Sequence, residues 1–310
     1  MMLEAGLVAS RLVHFTCVII LFGSAFFVLY SGPSASRSER LARLLPNIFR
    51  ACAIGALLSS GAWFLFTVGN MGGALASAFD NETLSSVLWD TGFGRMWAGR
   101  VVPMLLIVAI VWLGGSSVLS DRPIRILTVL AAILLASLAG VGHTQVHEGV
   151  PAVAHVTADA VHLLAAGAWL GGLLLLGMAM LVCRAKQLSN DDAVSALSRF
   201  SGMAYLAVAA LVASGAINGG FLIGSLSALI GTSYGELLLL KLGLFGLMLC
   251  LAASNRFWLV PALAKAPTAD QSDFVLARLH RHILAEQILG ALVVGIVSLL
   301  GTLSPAIQGL

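Results

Sequence analysis

An all-α, polytopic membrane helical bundle is the fold this sequence predicts: eight transmembrane helices arranged as two parallel four-helix repeats. Three observations lead there. Of the 310 residues, 59% are hydrophobic and only 10% are charged, whereas a soluble domain carries about 25% charged residues. Eight apolar stretches, approximately 8–30, 48–69, 98–119, 124–142, 155–182, 201–224, 235–254 and 282–304, approach or exceed the ~20 residues a helix needs to span a bilayer. None shows the strict apolar/polar alternation of a membrane barrel strand. An unpaired backbone N–H or C=O costs several kcal/mol in lipid, so helices are the remaining state for these runs.

The first stretch, Leu12 to Tyr30, is longer than the ~7–15-residue core of a signal peptide. Glu4 precedes it with only Arg11 as a base, which predicts a retained first span. Phe200 to Tyr234 has no charge and is too long for one helix, so a turn is expected near Gly219-Gly220 and Gly231. The loop 70–97 holds Met71, Asp80, Glu82, Asp90 and Met96, and Leu75 to Trp89 suits a short amphipathic surface helix. The polar segment 255–280 reads as a connecting loop. Thirteen of the 17 lysines and arginines fall in the loops after spans one, three, five and seven or their flanks. The excess of bases marks that side as cytoplasmic. Both termini and the hinge at 143–155 then face outward, into the periplasm of a bacterium. The net charge of +3 suggests no nucleic-acid partner, and lipid is the expected surrounding. Cys17, Cys52, Cys183 and Cys250 form no C-x-x-C pair, which argues against a disulfide framework or zinc cage.

The halves repeat one another, which divides the chain into 1–150 and 151–310. His14 precedes Gly23 by nine residues, as His162 precedes Gly171. Ser60-Gly61-Ala62 matches Ser214-Gly215-Ala216. Thr91-Gly92-Phe93-Gly94, with Arg100 six residues on, matches Thr232-Ser233-Tyr234-Gly235, with Lys241 six residues on. An even number of spans per half predicts halves of the same orientation about an axis along the membrane normal. His14 and His162 are then expected at equal depth along the seam between halves, where Gly23, Gly61, Gly171, Gly172 and Gly215 permit close approach.

Four of the seven histidines lie between positions 143 and 162. His143 and His147, spaced i, i+4, share a face if the fourth span continues one turn, and His155 can add a third nitrogen. Glu148 is a possible carboxylate ligand. Ionisable groups within spans are costly and mark function, so His14 and His162 complete the set of candidate metal ligands. Asp159, Met71, Met96, Arg100, Lys241 and Glu286 are auxiliary candidates. Thioethers suit Cu(I), and imidazole suits Cu(II) and Cu(I), so the donors point to copper with its valence open. Paired histidines on four-helix units also suit axial haem ligation, and His14 with His162 would be that pair. No hydrolytic triad, Walker A loop or nucleotide fingerprint occurs, so no enzyme activity is expected. Inward movement of a cation gains about 2.3 kcal/mol per charge per 100 mV and needs no ATPase.

His155-x6-His162-x6-Trp169-x-Gly171-Gly172, Thr232-Ser-Tyr-Gly235-x5-Lys241 with Asn255-Arg256, and Glu286-Gln-x-Leu-Gly290 resemble the signature of the copper resistance D (CopD) family. The resemblance covers essentially the whole chain. It implies an eight-span bacterial inner-membrane protein that passes copper from periplasm to cytoplasm. It also implies a small periplasmic copper-binding protein of the CopC type as donor.

Overall fold

A computed structural model of the protein describes residues 2–31, 39–141, 149–185 and 189–308. The described residues form helices and no strands. The helices are α1 (Met2–Tyr30), α2 (Glu39–Met71), α3 (Asn81–Asp90), α4 (Gly92–Leu113), α5 (Asp121–Ala136), α6 (Gly149–Arg184), α7 (Asn190–Leu222), α8 (Leu226–Gly231), α9 (Ser233–Ser254), α10 (Val260–Ala264) and α11 (Ala269–Leu300). A 3-10 turn, Ser137–Val141, extends α5, and a π turn, Asn255–Leu259, joins α9 to α10. Eight of the resulting rods are long and apolar enough to cross a membrane. The chain is an all-α, multi-pass membrane bundle.

Several boundaries differ from expectation. The fifth span starts at Gly149 rather than near 155, so His155 lies inside a helix. The segment 255–280, expected as a loop, is helical except at Lys265–Thr268. Polar residues do not break these helices because the π turn and α10 carry the seventh rod out to Ala264. The expected surface helix between the second and third spans is a 3-10 turn, Leu75–Phe79, followed by α3. Asp80 caps α3 by accepting from the Thr83 N–H at 2.8 Å and its hydroxyl at 2.7 Å. Those hydrogen bonds hold its carboxyl below the usual range.

The repeated threonine–glycine motifs are helix starts. Thr91 caps α4 by accepting from Gly94 N at 2.9 Å, and its own hydroxyl donates to Val87 O. Thr232 caps α9 by accepting from Gly235 N at 3.1 Å and donates to Ala228 O at 2.7 Å. In both places the threonine ties a long helix to the short helix before it. A side chain at Gly94 would overlap the backbone of Val87 and Leu88, and one at Gly235 the backbone of Leu229. Threonine supplies the N-cap, and glycine three residues later lets the short helix lie against the long one.

Helices α1 and α6 form the centre and cross with their backbones in contact. A Cβ on Gly23 would overlap the Gly167 carbonyl and the Gly171 Cα, and one on Gly171 would overlap the Ile19 carbonyl. Ser24 Oγ donates to Gly171 O across this crossing at 3.4 Å. In lipid no hydrophobic force draws helices together, so small residues and dense packing hold the crossing. The seam between the first and fifth spans is therefore closed here, with no room for a channel.

Candidate functional site

Two histidine environments sit on opposite sides of this crossing. Each histidine precedes the crossing glycine of its own helix, Gly23 or Gly171, by nine residues. Each faces its own group of helices rather than the other histidine.

His14 is sealed. It is wholly buried, edge-on to Trp63 at 5.7 Å and tilted against Trp97 at 6.0 Å. Its Nδ1 lies 3.0 Å from Ala56 O and 3.2 Å from Ser59 Oγ. Arg100 Nη2 lies 2.7 Å from its Nε2. A guanidinium has no acceptor, so Nε2 accepts and Nδ1 carries the proton. Both ring nitrogens are then occupied. Arg100, only 2% exposed, is held by Leu134 O at 3.1 Å, by Ser137 Oγ at 2.6 Å and over the Trp97 ring at 5.0 Å. Arg100 turns inward because a buried guanidinium needs several acceptors, and it finds them on α1 and around the end of α5. One expectation is corrected. His14 and His162 form no axial pair, since no nitrogen of His14 remains for an iron, and the geometry lends haem no support.

Arg100→Leu is expected to destabilise the protein without unfolding it in the membrane. It strands the His14 Nε2 lone pair, and an orphaned buried polar group costs about 1–3 kcal/mol. Thermal unfolding in detergent checks this, and an unchanged midpoint would refute the pairing.

His162 is arranged alike but open. Ser214 Oγ lies 2.5 Å from Ala210 O and 3.0 Å from His162 Nδ1. Its single proton goes to the carbonyl, so the hydroxyl accepts from Nδ1–H. The lone pair is thereby placed on Nε2, the tautomer that a metal-binding imidazole needs. Among the described residues no hydrogen bond joins Lys241 to His162, although Lys241 is near enough to act electrostatically on His162 and Asp159. Asn218 Nδ2 donates to Asp159 Oδ1 at 3.2 Å. His162 and Lys241 are partly buried, unlike His14 and Arg100 in the other half, and Asp159 is partly buried as well. His155 stacks on Phe221 at 4.7 Å.

His155, His162 and Trp169 are seven residues apart, about 10.5 Å of helix rise per step, and so form one stripe along α6, with Asp159 between the histidines. Trp169, 1% exposed, meets Phe245 edge-on at 5.9 Å. Beyond it lies a cavity of about 270 Å³, walled by Trp169, Leu173, Tyr205, Asn255, Arg256 and Glu286 among others. Glu286 lies 17 residues into α11, because that helix starts at Ala269 rather than near 282.

The other candidates fall elsewhere. His143, His147 and Glu148 lie outside the described residues. Met71 is 55% exposed at the end of α2, and Met96 is 39% exposed beside Gly140. Among the described residues no three His, Cys, Asp or Glu side chains gather closely enough to hold a metal ion. Ser214, Asn218 and Asn255 contribute to the polar sites but were not singled out as site residues from sequence. A lone amide in the uncharged run 200–234 was the available signal for Asn218.

Comparison with known proteins places this geometry. The N-terminal domain model of copper resistance protein D-like proteins matches residues 2–154, and the copper resistance protein D model matches 194–300. Inner membrane protein YebZ of Escherichia coli (strain K12) is 33% identical over 98% of this chain and 100% of its own. Copper resistance protein D of Pseudomonas syringae pv. tomato is 31% identical over 97% of both chains. Copper transport protein CutJ of Bacillus subtilis (strain 168) is 30% identical over 81% of this chain but 46% of its own length. No solved structure matches. With a full-length likeness above 30% identity and matches in both halves, the chain belongs to the copper resistance protein D family.

Proposed function

We propose that this protein passes copper ions across the bacterial inner membrane from periplasm to cytoplasm, through the helices of its C-terminal half. In this reading the arginine-rich end is cytoplasmic and both termini are periplasmic. The halves, divided near residue 150, are repeats of one ancestral unit. One copy is plugged by Arg100, while the other keeps His162 Nε2 open. His143, His147 and Glu148 would collect copper outside, from a donor protein of the CopC type. His155, Asp159 and His162 would hand it inward toward Trp169.

The observation that carries this reading is the α6 stripe of His155, Asp159 and His162 leading to Trp169 and the cavity beyond. A path for ions works best with sites that bind strongly enough to admit an ion and weakly enough to release it. Serial stations of one or two donors meet that need better than a closed cage. The membrane potential supplies the inward drive.

Copper accumulation in cells, compared at matched membrane levels, tests the reading. The double variant Asp159→Asn/His162→Ala is expected to lower the initial rate at least about tenfold, the lower end of what disturbing a metal site costs. His143→Ala/His147→Ala is expected to raise the copper concentration needed for half-maximal rate. A double variant at position 159 and 162 that accumulates copper like the wild type would remove the path from α6.

A further inference from the structure

The cavity beyond Trp169 has one polar end, and its chemistry is unusual for a membrane interior. Glu286 is 2% exposed. Asn255 Nδ2 donates to Glu286 Oε1 at 2.7 Å, and Asn255 Oδ1 lies 3.0 Å from His282 Nδ1. An amide oxygen only accepts, so His282 donates to Asn255 and Asn255 donates to Glu286. Asn255 opens the π turn Asn255–Leu259; such insertions interrupt a helix and recur at functional sites. Among the described residues no cation lies within ion-pair distance of Glu286. The indole N–H of Trp169, in the same wall, has no hydrogen-bond partner. A buried carboxylate with only a neutral amide against it is costly, and it must hold a proton or a cation.

We propose that this cavity is a proton–cation exchange site on the cytoplasmic side of the copper path. Glu286 carries a proton while the cavity is empty. When a copper ion arrives, the carboxyl O–H breaks, its proton passes to water at the arginine-rich end, and the carboxylate takes the ion. When the ion leaves, a proton from the same side returns, with no change of oxidation state. The exchange never leaves a bare buried carboxylate, and it makes cytoplasmic protons compete with copper. Asn255 positions one carboxyl oxygen and leaves the other for the ligand. The groups facing Glu286 are Arg256 from the π turn, Tyr205 from α7 and His282 on its own helix. The cavity wall supplied by α6 has no charged side chain. Arg256 lines the same cavity without pairing to the carboxyl, so the arriving ion itself takes over the charge that the proton had balanced.

This inference rests on the transport reading, and two measurements separate their failures. In vesicles with the arginine-rich end inward, wild-type copper uptake is expected to slow as the lumen is acidified, approaching tenfold per pH unit once the proton dominates. Glu286→Gln is expected to give a flat profile against lumenal pH, and Glu286→Asp to restore a sloping one. A wild-type rate indifferent to lumenal pH, or a Glu286→Gln variant with the wild-type slope, overturns the exchange. Infrared difference spectra of solubilised protein need no transport. Adding copper(I) or copper(II) is expected to bleach a protonated-carboxyl band that is missing in Glu286→Gln. If vesicles show no uptake but the band bleaches, the transport reading fails and the site stands. If copper leaves the band untouched in both valences, the site fails.

Discussion

Gly171→Leu is expected to eliminate folded protein from the membrane. The side chain of residue 171 would have to occupy space filled by the Ile19 carbonyl and the backbone of Gly23. Ordinary overpacking costs about 1–3 kcal/mol because side chains can turn aside. Here the obstacle is backbone on a neighbouring helix, and relief requires α1 and α6 to separate. These two helices contact each other and each also packs on α5 and α11, so parting them loosens the whole bundle. Lipid offers no hydrophobic penalty to hold a badly fitted pair together. Gly171→Ala is the graded control: its one carbon also meets the backbone, so its midpoint should fall measurably while some folded protein survives. The checks are the yield of monodisperse protein after solubilisation and its thermal unfolding. A leucine variant that purifies and melts like the wild type would show that residue 171 does not meet the α1 backbone.

That crossing was partly visible beforehand. The nine-residue spacing of histidine and glycine in both halves marked Gly23 and Gly171 as an approach point, and span lengths alone brought out eight helices. The threonine–glycine motifs were visible as repeated letters, but their work as caps over a short packed helix was not. That depends on Val87 and Ala228 returning from the preceding segments. The joining of Arg100 to His14 was hidden for a different reason. They are 86 residues apart, and only the packing of α4 against α2 and α5 decides that the guanidinium turns inward. Asn255 fell in a segment whose charges and prolines resemble a loop. Without the π turn it has no evident reason to face Glu286. Polar contacts between helices are set by rotation about the helix axis, which a nearly uniform apolar sequence specifies poorly.

The comparison of the two histidines yields the sharpest expectation for function. His14 and His162 have the same proton placement, with serine beside Nδ1 and a basic residue arriving from the helix that begins with the threonine cap. They differ in what meets Nε2. Arginine at 100 is longer, forks into several donors and closes the lone pair at 2.7 Å. Lysine at 241 leaves the corresponding nitrogen without a hydrogen bond. Lys241→Arg is therefore expected to convert the open site into a copy of the closed one. Charge is kept, and a guanidinium can bond both His162 and the Asp159 carboxylate, so the melting temperature should hold or rise. Copper uptake should fall at least about tenfold, the lower end of the loss seen when a metal site is disturbed. Lys241→Met supplies the contrast: it removes the charge beside Asp159 but leaves His162 Nε2 open, so loss of folding in that variant would report on electrostatics, not on plugging. Uptake rate and unfolding midpoint measured on the same preparations separate these effects. If Lys241→Arg is as stable as expected and still transports at the wild-type rate, then the lone pair of His162 is not on the path, and copper must travel by another route.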